Sequence, residues 1–129
     1  MGVLKENPIL GHITTFGGHP VSSVAGLASL NVLVEEDLVK DVAAKAELFR
    51  SLLIHPAIKE IRGIGLMMSI QLACFEQVEK VSRQCATDGL IIDWFLHCET
   101  ALRIAPPLII TNEQIRASCA IILKAVDNL

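Results

Sequence analysis

The short strand-like runs of this chain occur in adjacent pairs, and this pairing constrains the fold more than any other feature. The runs are apolar or alternate apolar and charged residues, as strands of a half-buried sheet do. Gly63-Ile64-Gly65 bends the chain within the first pair, and residues 97–100 connect the second. Strands joined by so few residues pair antiparallel. The four runs are residues 58–62, 66–72, 90–96 and 101–104.

Four segments with helical spacing surround these pairs. Residues 21–34 are apolar on nearly all sides around Gly26, which predicts a buried helix with one close backbone approach, and Pro20 suits its first turn. Thr111 and Gln114 have the spacing of a capping box. The order helix, helix, strand, strand, helix, strand, strand, helix predicts an α+β fold, with helices on one face of a small, mainly antiparallel sheet. The predicted helices are residues 21–34, 35–54, 75–87 and 112–126.

The composition suits one domain that presents apolar surface to another protein. The 129 residues are 52% hydrophobic, with a mean hydropathy of +0.52, which is high for a domain of this size. Every apolar run is interrupted before the roughly 18 residues that a membrane span requires. The net charge of −3 is spread among interspersed acidic and basic residues. We therefore expect neither a membrane nor a nucleic acid as partner.

The cysteines predict a cytoplasmic protein. They lie far apart without the spacing of a zinc site, and the chain starts without the apolar stretch of a secretory signal, so we expect free buried thiols. His12 and His19 have no third ligand at metal spacing, so no metal site is predicted. The cysteines are Cys74, Cys85, Cys98 and Cys119.

Residues 11–20 form a loop that could hold an anion. Two hydroxyl side chains, Thr14 and Thr15, precede flexible glycines and the start of a helix, and such groups can cradle a phosphate. The spacing matches neither a Walker A loop nor a dinucleotide fingerprint. A tight turn that only connects two segments remains the alternative.

Arg103 stands inside an apolar strand. A buried guanidinium is costly unless it is paired, and its planar fork suits a carboxylate. Arg103 is therefore either a structural ion-pair partner or a group that faces a substrate.

Three segments resemble, in order, segments of the class-III pyridoxal-phosphate-dependent aminotransferases. Residues 14–20 (Thr-Thr-Phe-Gly-Gly-His-Pro) resemble that family's Ser/Thr-Thr-Phe/Tyr-Gly-Gly-Asn-Pro segment, with His19 where Asn is usual. Residues 60–67 (Glu-Ile-Arg-Gly-Ile-Gly-Leu-Met) are similar to its Val-Arg-Gly-x-Gly-Leu turn. Residues 102–108 (Leu-Arg-Ile-Ala-Pro-Pro-Leu) are similar to the stretch before its last helix.

The resemblance implies a role for each segment. Thr14 and Thr15 would bind the phosphate of the pyridoxal phosphate held by the neighbouring subunit of a homodimer. Arg103 would contact a substrate carboxylate or an acidic residue that gates the site. Residues 60–67 are architecture, in which Arg62 pairs with an acidic surface.

The implied fold is the C-terminal small domain of a fold-type I pyridoxal-phosphate enzyme. Residues 1–35 would be an inter-domain segment with the phosphate loop and a connecting helix, and residues 36–129 the small domain. The partner would be a missing N-terminal large domain. The parent enzyme would transfer an amino group between an amino acid, of the ornithine or acetylornithine kind, and a 2-oxo acid.

Catalysis in that family needs a lysine that forms a Schiff base with the cofactor. In the family, this lysine lies upstream of the Thr-Phe-Gly-Gly loop, in a Gly-rich segment. In this chain, Lys5 precedes the loop but lacks Gly-rich surroundings, and the other lysines lie on predicted polar faces. We therefore predict no catalytic residue in this chain and no activity for the chain alone.

Other interpretations remain open. The chain could be a non-catalytic α+β interaction module, or part of a related pyridoxal-phosphate decarboxylase or aminomutase. Asp93-Trp94 in an apolar strand is interpreted as a hydrogen-bonded core pair or as a surface facing the missing domain.

Overall fold

The computed structural model describes residues 15–129 in two units that divide after Asp37. The predicted element order and the α+β class are confirmed. The domain boundary predicted after residue 35 concerns a longer protein and stays a prediction. The elements are α1 (Pro20–Glu35), α2 (Val42–Leu52), β1 (Glu60–Ile64), β2 (Met67–Gln71), α3 (Phe75–Thr87), β3 (Asp93–Phe95), β4 (Cys98–Ile104) and α4 (Asn112–Asp127).

The four strands of the second unit form one antiparallel sheet in the order β1-β2-β4-β3. β4 is longer than predicted, because it begins at Cys98 and leaves only residues 96–97 for the turn. Thr100 belongs to the strand, because the Leu72 N–H donates to its backbone carbonyl at 3.0 Å. The prediction that residues 97–100 are a connection is therefore wrong. β3 is shorter than the predicted run of residues 90–96, because it spans only Asp93–Phe95, and its register with β4 shifts between Trp94 and Phe95.

The core lies on one face of this sheet. Ile70 and Leu102 are fully buried there, α3 packs on β4 and α4, and α2 packs on α4. Full burial of each such side chain is worth about 1.5–3 kcal/mol. The opposite side, which we call the open face, carries the exposed residues Glu60, Arg62, Asp93 and Arg103, following the alternation of side chains along strands; Ser69 lies on the same side but is buried. The largest fully buried side chains are Phe49, Leu53, Met68, Ile70, Leu72, Leu102, Ile115 and Ile122.

Two helix predictions need correction. The helix predicted over residues 35–54 begins only at Val42, because Asp37 takes a left-handed conformation (φ 48°) and turns follow it. α1 is helical as predicted but contains no buried residue, and a Cβ on Gly26 would meet nothing within 4 Å among the described residues. Its apolar side chains, including Leu27 and Leu30, are exposed instead.

The thiols agree with the prediction in part. All four cysteines are free, but Cys74 and Cys98 are only half-buried. Burial raises the pKa of Cys119 to about 11 and, with a contribution from Asp88, that of Cys85 to about 11. These two thiols therefore stay protonated at neutral pH. Within residues 15–129, no helix is long and apolar enough to cross a bilayer.

Arg50 covers the β1 edge of the sheet. β1 is the first strand, and the pair Ile64 and Met67 closes a two-residue turn, so the carbonyls of Ile61 and Gly63 point away from β2. Arg50 of α2 donates to both carbonyl oxygens at 2.9 Å. An open edge can pair with another chain, and this guanidinium blocks that pairing.

Arg50→Ala is expected to lower the free energy of unfolding by about 1–2 kcal/mol, because two hydrogen bonds from a charged donor are lost. It should also promote self-association through β1. Denaturant unfolding and light scattering measure the two effects. The matched control is Arg83→Ala, which removes an exposed α3 ion pair with Glu79 (2.8 Å) and should change stability by less than about 0.5 kcal/mol. Equal effects of the two variants would contradict the edge role.

Candidate functional site

The predicted site residues fall in different units, which the structure describes separately. Thr15 precedes α1 in the first unit, and Arg103 lies on β4 in the second. Thr14, like Lys5 and His12, lies outside the described residues. The proposed roles of Thr14, Thr15 and Arg103 therefore stay predictions, and the local geometry shows what Thr15 and Arg103 can do.

The Thr15 loop leads directly into a helix N-terminus. Gly18 has a positive φ of 77°, His19 is the N-cap in extended backbone, and Pro20 opens α1 as predicted. The His19 N–H donates to the Phe16 carbonyl at 3.1 Å, which closes the turn. Thr15 is exposed. An accessible hydroxyl close to a helix N-terminus is chemically suited to a phosphate group.

Arg103 is not buried, and the premise that it sits in an apolar interior is wrong. Its neighbours Leu102 and Ile104 occupy the core side of β4, so the alternation of the strand places Arg103 on the open face. Its side chain is 45% exposed. The guanidinium therefore keeps much of its hydration and remains available to a ligand.

A cavity of about 640 Å³ opens beside Arg103. It lies between the end of the sheet, the segment after β4 and the first turns of α4, and most of its lining is apolar. Gln114 is also at its wall, but its side chain is engaged in the predicted capping box with Thr111, with contacts of 2.9 and 3.2 Å. Arg103 and Asp93 are the charged groups in the lining. An apolar recess with few charged groups is typical of a small-molecule site.

Asp93 is exposed, so one of the two interpretations of Asp93-Trp94, a pair in the core, is wrong. Asp93 and Trp94 are not a core pair: the Asp93 side chain is 53% exposed and lies directly opposite Arg103 in the β3–β4 register. Asp93 Oδ2 is 3.8 Å from Arg103 Nη2. The signal in the sequence was a carboxylate inside an apolar strand. Whether this surface faces another domain stays a prediction.

Arg62 and its glycines behave as architecture. Arg62 Nη1 is 3.4 Å from Glu60 Oε2, and its Nη2 donates to Gln71 Oε1 at 3.0 Å, as the predicted acidic pairing requires. Gly63 has a φ of 138° and Gly65 a φ of 54°, which both favour glycine. The segment shapes the β1–β2 hairpin.

Among the lysines of residues 15–129, all but one are exposed. Lys45 is half-buried, because its Nζ donates to the Leu108 carbonyl at 2.6 Å and holds the segment after β4 against α2. Lys124 pairs with Asp88 at 3.0 Å. His55 bridges to Asp127 at 3.0 Å. In the part of the chain that the structure describes, no three His, Cys, Asp or Glu side chains are grouped to hold a metal ion.

Residues 2–126 match the protein family described as aminotransferase class-III. The chain belongs to this family. This class-III aminotransferase chain is 36% identical over 122 residues to the ornithine aminotransferase of Staphylococcus epidermidis, covering 88% of this chain and 30% of that protein. It is also 36% identical over 109 residues to the acetylornithine aminotransferase of Caldanaerobacter subterraneus, covering 81% and 27%.

Solved structures of aminotransferases share the fold of this class-III chain. The omega transaminase from Pseudomonas jessenii in complex with PMP superposes with a TM-score of 0.77 at 28% identity, covering 92% of this chain and 29% of that one. The class-III chain thus spans about 30% of the length of the relatives it matches.

Proposed function

We propose that this chain is the C-terminal part of a longer pyridoxal-phosphate-dependent transaminase. The complete enzyme transfers an amino group between an amino acid of the ornithine or acetylornithine kind and a 2-oxo acid. The observation that carries the proposal is Arg103, a half-exposed guanidinium at the rim of an apolar cavity. The ornithine and acetylornithine aminotransferases among the relatives support the substrate class.

Arg103 binds a carboxylate of the substrate. A guanidinium offers five N–H donors in a planar fork that fits a carboxylate with two parallel hydrogen bonds. Amino acids and 2-oxo acids both carry a carboxylate, so one arginine serves both halves of the reaction. The cavity lining is mostly apolar, with Met67 and Ile104, so the Arg103 guanidinium is the cationic group that it offers to a carboxylate.

Thr14 and Thr15 bind the cofactor phosphate of the neighbouring subunit in a homodimer. The cofactor, when bound, supplies an electron sink for the substrate carbon. The exposure of Thr15 and its place just before α1 fit a phosphate, and PMP in the Pseudomonas jessenii enzyme supports the cofactor. The lysine that carries the cofactor lies, in this proposal, in the N-terminal large domain.

That large domain covers apolar surface which the second unit leaves open. Ile64 and Ile91 are at least 90% exposed and Met67 is 58% exposed. Exposed apolar side chains of this kind mark contact surfaces. The free thiols favour a reducing compartment, and we place the enzyme in the cytoplasm.

The experiment compares this chain with the complete protein. Each is supplied with pyridoxal phosphate, an ornithine-type donor and a 2-oxo acid, and amino transfer is measured; borohydride treatment and mass spectrometry then locate any labelled lysine. We expect transfer and one labelled lysine in the complete protein, and neither in this chain.

Three results would contradict the proposal. Stoichiometric labelling of a lysine in this chain would mean that it carries its own cofactor. Release of carbon dioxide or migration of the amino group in the complete protein would indicate a decarboxylase or an aminomutase. Absence of cofactor binding to the complete protein would favour a non-catalytic interaction module.

A further inference from the structure

Asp93 and Arg103 face one another across the last two strands of the sheet. They are directly opposite in the β3–β4 register, and both side chains lie on the open face beside the cavity. In an antiparallel pair, the side chains of two residues that lie directly opposite one another are close neighbours on the same face. The backbone therefore fixes their proximity, so the pairing does not depend on a chance meeting of two long side chains.

The Asp93 carboxylate is itself held in place. Its Oδ1 accepts a hydrogen bond from the Trp94 N–H at 2.8 Å. The Trp94 ring then packs edge-on against Phe75, the first residue of α3, with ring centroids 5.4 Å apart. The carboxylate is thus anchored to the core side of the domain through its own neighbour.

The contact leaves the Arg103 fork free. Asp93 Oδ2 is 3.8 Å from Arg103 Nη2, which is longer than the 2.7–3.2 Å of a direct N–H···O hydrogen bond. At this distance the carboxylate attracts the guanidinium without using the paired donors that a substrate carboxylate needs. A fixed carboxylate limits the many rotamers of an exposed arginine, whose ordering would otherwise weaken ligand binding.

We propose that Asp93 is a positioning residue, which orients Arg103 toward the cavity for binding of a carboxylate substrate. This inference rests on the proposed function, because it acts only through Arg103. A second carboxylate also repels a negatively charged substrate, which acts in the opposite direction. The two effects change affinity in opposite directions, so the sign of the change decides between them.

The test uses the complete cofactor-loaded enzyme and the variant Asp93→Asn, which keeps the side-chain shape and removes the charge. The measurements are kcat and KM for the 2-oxo acid and the inhibition constant of glutarate, a dicarboxylate without a reacting group. We expect KM and the inhibition constant to rise about three- to fivefold, with kcat within about twofold of the wild type. Asp93→Glu should restore both constants.

Glu60→Gln is the matched control, because Glu60 and Arg62 are an equally exposed pair on the same face, 3.4 Å apart. Glu60→Gln should leave KM and the inhibition constant unchanged. In an enzyme that already carries Arg103→Met, Asp93→Asn should cause no further change in either constant. The inference is overturned if Asp93→Asn leaves the constants unchanged, lowers them, or raises them equally without Arg103. If Arg103→Met alone leaves KM and the inhibition constant unchanged, Arg103 does not bind a carboxylate, and both the proposed function of Arg103 and this inference are wrong. If Arg103→Met changes these constants but Asp93→Asn does not, only this inference is wrong.

Discussion

Replacing Arg103 by methionine in the complete enzyme is expected to lower kcat/KM for carboxylate substrates by about 30- to 1,000-fold. The physical reason is the loss of a charged, bidentate hydrogen bond to the substrate carboxylate, worth roughly 2–4 kcal/mol. Methionine keeps the length and the apolar stem of the side chain, so the cavity retains its shape. Steady-state kinetics with the amino acid and with the 2-oxo acid measure the effect on each half of the reaction.

Two comparisons make this result specific. Arg62→Met removes a guanidinium of similar exposure from the same open face and should change kcat/KM less than about threefold. Arg103→Lys keeps the charge but loses the fork, so it should recover only part of the activity. Normal kinetics in Arg103→Met would show that the guanidinium does not touch the substrate.

Gly63→Ala is expected to lower the free energy of unfolding of this chain by at least about 3 kcal/mol. Gly63 has a φ of 138°, which an alanine rarely adopts. An added Cβ would also lie 2.2 Å from the carbonyl oxygen of Met67 and 2.7 Å from the Cα of Met68. Both atoms belong to the backbone of β2, so the hairpin itself must move. Denaturant unfolding followed by circular dichroism measures the loss.

Gly89→Ala separates the two causes. Gly89 also has a positive φ, of 89°, but no atom of the described residues 15–129 lies within 4 Å of an added Cβ. It should therefore cost only the backbone strain, about 1 kcal/mol. Equal losses in the two variants would show that the close approach to β2 contributes nothing.

The fold could be predicted because its signals are local. Gly63 and Gly65 mark the first hairpin, and Thr111 with Gln114 marks the start of α4, so nearby residues predict where these elements turn or begin. The prediction that a helix starts at residue 35 was wrong, because the left-handed conformation of Asp37 interrupts the helix there. The apolar spacing around Asp37 does not reveal that interruption. The prediction that α1 is buried was wrong, because its apolar composition shows that other protein surface should cover the helix but does not show which surface does so.

The site was predicted less completely. The exposure of Arg103 could have been deduced, because apolar Leu102 and Ile104 on either side assign it to the other face of the strand. The pairing with Asp93 could not, since it depends on the strand register and on the bulge after Trp94. Register is a property of two strands together, and neither segment specifies it alone.

The strand order also determines how the sheet assembles in time. Each hairpin closes over a few residues, which takes microseconds, whereas joining β2 to β4 must close a loop that contains all of α3. Non-local contacts of this kind slow folding, because the loop entropy is lost before the contacts form. Within the sheet, we therefore expect the pairing of β2 with β4 to be the slowest step, and an α3 that forms early would speed it by bringing the two hairpins together.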